Sequence, residues 1–209
     1  MSNRCQASRR CGESGVGGKL ELDEVIVEIL GEVEMPYDKI EQGIIDALNA
    51  FVPIGMPLTN HEWTISMRAI FSKLGHDNKC KVAVRRSTED LASKEFEEIR
   101  QLVKGDNPDH GEWLYDILWW HEVPPDHMKV PLIAESEWGN RNAFKFDFQK
   151  LLLAKVEHKV MIFECGDGVI TWAKEQIKQF KDTQGERYLF CSWHGKGVNE
   201  FRYELFVAP

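Results

Sequence analysis

The sequence predicts an α/β protein, a mixed β-sheet flanked by helices with a helical extension at its N-terminal end. Three observations lead there. Apolar residues fall at helical spacing in some segments and form alternating or continuous runs in others. The helix-patterned stretch NAFKFDFQKLLLAKVEH (142–158) lies between two apolar runs, KVPLIAESEWG (129–139) and KVMIFEC (159–165). That is the order of a right-handed βαβ crossover with parallel strands. Towards the end of the chain, YLFCSWH and FRYELFVA flank the loop GKGVN, which suits a terminal strand pair.

A chain of 209 residues, 43% hydrophobic and 11% aromatic, is long enough for one substantial core. No run approaches the ~18 apolar residues of a membrane span, and the first residues carry basic groups without an apolar signal core. A soluble cytoplasmic protein with no membrane partner is expected. The five cysteines, at 5, 11, 80, 165 and 191, include no CxxC pair and read as reduced thiols rather than disulfides or zinc ligands. The net charge of −8 argues against a general nucleic-acid coat, which carries a basic excess. Any nucleic-acid contact must be local, made by clustered Lys and Arg and aided by a cation that cancels carboxylates.

Residues 1–18, MSNRCQASRRCGESGVGG, have no hydrophobic period and read as a disordered tail; 19–58 form the helical extension and 59–209 the core. Leu22, Val25, Ile26, Ile29 and Val33 make one helical face. After Pro36, Ile40, Ile44, Ala47, Leu48 and Phe51 make another, with Pro53 and Pro57 expected to break the chain. These faces suit packing on the core or on a second subunit, a homodimer. A third helix over 61–74 shows Trp63, Met67, Ile70, Phe71 and Leu74 on one side, with Gly75 as its stop. KCKVAVRRS (79–87) reads as a strand, 89–104 as a polar helix carrying Leu91, Phe96, Ile99, Leu102 and Val103, and GEWLYDILWWHEV (111–123) as a long strand. The helix over 142–158 puts Phe144, Phe148, Leu151, Leu152 and Lys155 on one side, and a further helix follows over 169–181.

Chemistry is suggested by three acids in two of these strands. Side chains alternate along a strand, so Glu135 and Glu137 in AESEWG point to one face and Ser136 to the other. By the same rule Asp116 in WLYDILWW interrupts an apolar face shared with Leu114 and Leu118. Buried together, the acids would raise one another's pKa, whereas a hard divalent cation such as Mg²⁺ or Mn²⁺ turns their repulsion into ligation. The following helix adds Asp147, Gln149 and Lys150. Lys150 is the first choice for a cation that orients water or steadies charge developing on a phosphate.

The order of a helix with an acid (HEWTISMRAIFSKLG), a strand, a strand with Asp (EWLYDILWW), a strand with Glu-x-Glu (AESEWG), a helix (DFQKLL) and a strand (KVMIF) resembles the PD-(D/E)xK nuclease superfamily over roughly residues 60–165. The resemblance implies a restriction-endonuclease-like fold and Mg²⁺-dependent hydrolysis of nucleic-acid phosphodiesters, with DNA ahead of RNA as partner. It implies Asp116 as the strand aspartate, Glu135 as the first acid of the third-strand pair, Glu62 as the helix acid, and Asp116, Glu135 and Glu137 around the metal. Glu137 stands where the family pattern has lysine. Some members keep an acid there and others carry the lysine on the next helix, a place that Lys150 fills.

Plainer readings compete. The three acids could be solvated and paired with a base such as Arg141. Thr59-Asn60-His61-Glu62 has the form of a capping box, and Lys150 could pair with Asp147 on a helix surface. Trp113, Tyr115, Trp119 and Trp120 suit a core better than a base-stacking platform, and HGKG a hairpin turn better than a phosphate loop. His61, His76, His121, His127 and His158 show no ligand spacing and are assigned no metal. The functions to weigh are therefore a metal-dependent nuclease, a catalytically inactive binding or regulatory module on the same fold, and a glycan-binding or glycan-cleaving protein. The last is disfavoured because the glutamates lie side by side rather than across a sugar.

Overall fold

The computed structural model describes residues 36–55, 58–84, 113–166, 168–195 and 197–209. The expected tail, the helix over 20–33 and the polar helix over 89–104 lie outside the described residues. Among those residues the chain is α/β, with helices α1 (Lys39–Gly55), α2 (Asn60–Asp77), α3 (Arg141–Leu153) and α4 (Gly168–Gln179). The strands are β1 (Lys81–Val84), β2 (Ile117–Val123), β3 (His127–Glu137), β4 (His158–Phe163), β5 (Arg187–His194) and β6 (Glu200–Val207).

All six strands form one mixed open sheet in chain order. The β1–β2, β2–β3 and β5–β6 pairs are antiparallel, while β3–β4 and β4–β5 are parallel. Strand alternation divides the core between two faces. Val82, Trp119, Ala134, Ile162 and Cys191 pack with Leu48 and Phe51 of α1 and Trp63, Met67 and Phe71 of α2. Ile133, Met161, Phe163 and Phe190 pack on the other face with Phe144, Phe148 and Leu151 of α3 and Val169, Ala173 and Ile177 of α4. None of these helices is long and apolar enough to cross a membrane.

Several boundaries differ from the sequence expectation for physical reasons. Helix α1 continues two residues past Pro53 rather than stopping there. Helix α2 runs through Gly75 to Asp77, where the Gly75 backbone lies so close to β1 and β2 that a β-carbon would stand 2.4 Å from Val82 Cγ2 and 2.9 Å from Trp119 Nε1. That glycine is a close-packing residue and not a stop. Helix α3 ends at Leu153 because Ala154 turns extended, at φ −76° and ψ 150°. Lys155 therefore leaves the apolar stripe expected for it and is exposed, 3.8 Å from Glu186. Strand β2 begins at Ile117, which leaves Asp116 just before it.

Candidate metal centre

The acids singled out in the sequence meet at one end of the sheet, where β2 begins and β3 finishes. Ile117 lies opposite Ala134, which brings Asp116 level with Glu135. One Asp116 oxygen accepts from the Ser136 amide at 3.2 Å. The other accepts from the Arg68 guanidinium of α2 at 3.0 Å. Asp116 thus pairs with Arg68 instead of the Arg141 envisaged above.

Glu135 is almost fully buried, and its counter-charge comes from α3. Burial of Phe144, Phe148, Leu151 and Leu152 fixes that helix against the sheet, leaving Asp147 and Lys150 side by side on its flank. Lys150 Nζ lies 2.7 Å from Glu135 Oε1 and 2.8 Å from Asp147 Oδ1. The contact with Glu135 is an attraction between charges that lacks hydrogen-bond alignment, and Oε1 has no hydrogen-bond partner. A second buried atom here, Arg68 Nε, is also without one.

The electrostatics follow from this geometry. Burial, and then the negative charge of Asp116, push the Glu135 carboxyl up to about 8, although Lys150 pulls the other way. Burial also raises Glu137. The Gly139 amide, donating to its Oε1 at 2.5 Å, resists that rise, while the adjacent Asp147 carboxyl and the Asp116 charge add to it. Burial by itself would lower the Lys150 ammonium, but its contacts with Asp147 and Glu135 leave it raised. Tyr115, just upstream of Asp116, is raised by burial and then by the Glu135 charge. Two carboxyls are held towards their neutral forms beside a lysine held towards its charged form.

Asp116, Glu135, Glu137 and Asp147 offer the oxygen donors that a hard cation takes, and Glu135 Oε1 is a buried acceptor whose contact with Lys150 lacks hydrogen-bond alignment. Their ligand atoms do not converge as those of Asp38, Glu41 and His158 do, where one ligand atom from each residue lies within 4.8 Å of the others. There, however, the donors are already committed. Arg187 holds both Glu41 oxygens, at 2.7 and 2.6 Å. His158 Nε2 lies 2.6 Å from Asp38 Oδ2, and its Nδ1 lies 3.2 Å from the Pro131 carbonyl oxygen. Asp38 and Glu41 also cap the start of α1, with Asp38 Oδ1 accepting from the Ile40 and Glu41 amides. This second group fastens α1 to β4 and β5.

Family models, curated proteins and solved structures were compared with the chain, and none matches it.

Of the residues proposed from sequence, Asp116, Glu135, Glu137 and Lys150 interact within one cluster. Glu62 forms the capping box: its carboxylate accepts from the Thr59 amide at 2.5 Å, and the Thr59 hydroxyl accepts from the Glu62 amide. Gln149 is exposed. Trp119 and Trp120 are core residues, while Trp113 is exposed and stacks on Trp120 at 6.2 Å. Sequence reasoning missed Arg68 and Gly139. The signal for Arg68 was a basic side chain one helical step from buried Ile65 and Ser72. For Gly139 it was a glycine two residues after an acid, where a β-carbon would stand 2.5 Å from Glu137 Oε1.

Proposed function

We propose that the protein is a metal-dependent phosphodiesterase of the PD-(D/E)xK type acting on DNA or RNA. The observation that carries the reading is the buried Glu135 carboxylate, set between Asp116 and Lys150 at the end of the sheet, its Oε1 ion-paired to Lys150 without an aligned hydrogen bond. The succession α2-β1-β2-β3-α3-β4, with an antiparallel meander followed by a parallel crossover, supports a restriction-endonuclease-like core.

Asp116, Glu135 and Glu137 would hold Mg²⁺ or Mn²⁺, with Asp147 alongside. When bound, such an ion lowers the pKa of water and neutralises charge on a phosphate. The chain's own part is clearer in Lys150. Its ammonium, anchored by Glu135 and Asp147, is placed to stabilise charge on a phosphoryl oxygen or to orient a water. Arg68 holds the Asp116 carboxylate in register, and the Gly139 amide does the same for Glu137.

The test is cleavage of single- and double-stranded DNA and RNA with Mg²⁺ or Mn²⁺. Asp116→Ala and Glu135→Ala chains that keep their circular dichroism should lose activity, and undiminished cleavage in both overturns the proposal. One observation favours a non-catalytic module instead: Arg68 and Lys150 already neutralise Asp116 and Glu135 without a metal. Calorimetry showing no Mg²⁺ or Mn²⁺ binding, together with no cleavage of any nucleic acid, would select that module.

A further inference from the structure

On the α3–α4 face of the sheet, the row level with Glu137 keeps one core residue, Phe163, and is polar on either side of it. Glu137 lies opposite Phe163, Phe163 opposite Ser192, and Ser192 opposite Arg202. One row nearer the middle of β5, Phe190 is still core. At the Ser192 row the face turns polar between β5, β6 and α4, around a cavity of about 450 Å³ lined by Thr171, Lys174, Ser192, His194, Arg202 and Glu204 among others. Adjacent strands are ~4.8 Å apart, so three steps put Arg202 about 14 Å from Glu137 on the same face.

The floor of this cavity is built rather than loosely solvated. Ser192 is buried, and its hydroxyl donates to the Arg202 carbonyl oxygen at 3.3 Å. A hydroxyl has a single proton to give. His194 Nε2, 3.1 Å from Ser192 Oγ, must then be the donor in that contact, which fixes the imidazole beside the cavity. Lys174, Arg202 and the Thr171 hydroxyl line the cavity, and Glu204 pairs with Lys174. Arg202 pairs with Glu200 at 3.0 Å, and both of those side chains are exposed. Exposed pairs of this kind contribute little to stability. In a chain of net charge −8, this is a local concentration of phosphate-binding groups in line with the acids.

We infer that the β5–β6–α4 cavity binds a backbone phosphate of the nucleic-acid strand whose scissile bond lies at Glu135 and Glu137. Lys174 and Arg202 face that phosphate, and His194 holds Ser192 in place behind them. The inference rests on the function proposed above and extends it: the strand runs across the carboxyl ends of β3, β4 and β5, and the cavity sets its register.

Equilibrium binding of the full chain to fluorescein-labelled 20-nucleotide single-stranded and duplex DNA, followed by anisotropy in EDTA, tests this apart from catalysis. Lys174→Ala and Arg202→Ala should each weaken binding roughly five- to tenfold and reduce the slope of log affinity against log salt by about one. Glu204→Gln should tighten binding, and Lys178→Ala, on the same helix outside the cavity, should leave it unchanged. Inorganic phosphate should compete with DNA in the unmodified chain and lose that competition in Lys174→Ala. Binding within twofold of the unmodified chain in both alanine variants, no binding of either DNA by the unmodified chain, or phosphate binding without displacement of DNA overturns the inference. The two proposals fail separately. Weakened binding in the variants without cleavage by the unmodified chain removes the nuclease reading and keeps the cavity, while cleavage whose KM is unmoved by Lys174→Ala and Arg202→Ala removes the cavity alone.

Discussion

Two acidic clusters lie in this sheet, and they solve the same problem in opposite ways. Around Asp38 and Glu41 each carboxylate oxygen accepts from Arg187, His158 or a backbone amide. Burial tends to raise Asp38, but the amide of Glu41 and the contact with His158 outweigh it, and the group is lowered overall. Around Asp116 and Glu135 burial prevails, Glu135 is pushed up to about 8, and its buried Oε1 meets Lys150 without an aligned hydrogen bond. The difference shows that acid content and ligand spacing alone do not tell two clusters apart. What separates a clamp from a site ready for a ligand is whether the protein completes the acceptors itself.

The comparison breaks most readily at the second cluster. Glu135→Gln or Asp116→Ala should lower cleavage roughly a hundred- to a thousand-fold, measured as single-turnover rates. The thermal midpoint should be preserved or raised in Glu135→Gln, which removes a buried charge, and lowered in Asp116→Ala, which strips Arg68 of its partner. At the first cluster the outcome reverses. Arg187→Met leaves Glu41 buried without its partner and should cost about 3 kcal/mol in urea unfolding while leaving single-turnover cleavage within twofold. A change in cleavage as large as that of the Asp116 variant would dissolve the distinction.

The clusters should also respond to pH with opposite signs. Glu135 has a raised folded pKa, so between about 4.5 and 8 the unfolded chain has released a proton that the folded chain keeps. Its contribution makes stability fall as pH rises through that window, and Glu135→Gln should flatten the slope. Asp38 has a lowered folded pKa, so its stabilisation is present above the unfolded value near 3.8 and is lost as pH falls through the lower folded one. Urea midpoints measured from pH 3 to 9 on the unmodified chain and on Glu135→Gln and Asp38→Asn chains resolve the two slopes. The smallest effect is expected at Glu62, where Glu62→Gln should lower the thermal midpoint slightly through the capping box and change cleavage less than twofold. A tenfold loss in a folded Glu62→Gln chain would return this residue to the site.

Much of this arrangement was legible along the chain because it depends on local period. Alternation placed Glu135 and Glu137 on one face, helical spacing found the buried faces of α1, α2 and α3, and the apolar–helix–apolar order gave the parallel β3–β4 pair. What was not legible depends on contacts between distant segments. Arg68 reaches Asp116 across 48 positions, and His158 reaches Asp38 across 120. The spacing marks Arg68 as a base beside a buried helix face, but it does not name the acid that each of these residues meets. Gly75 misled for a related reason: a glycine near a helix end suggests a stop, and only the indole of Trp119 and the methyl of Val82 above it show why a side chain has no room.

The ions at the end of β3 also have a bearing on electroneutrality. Asp116, Glu135, Glu137 and Asp147, all ionised, would face Arg68 and Lys150, which leaves the cluster two positive charges short of balance. One divalent cation makes up that deficit, whereas a sodium or potassium ion leaves half of it. The alternative is for the cluster to take up protons, which is the direction in which Glu135 and Glu137 are displaced. If the cluster holds the divalent ion proposed above, protons and that ion compete for the same negative charge, and metal entry releases protons into the buffer.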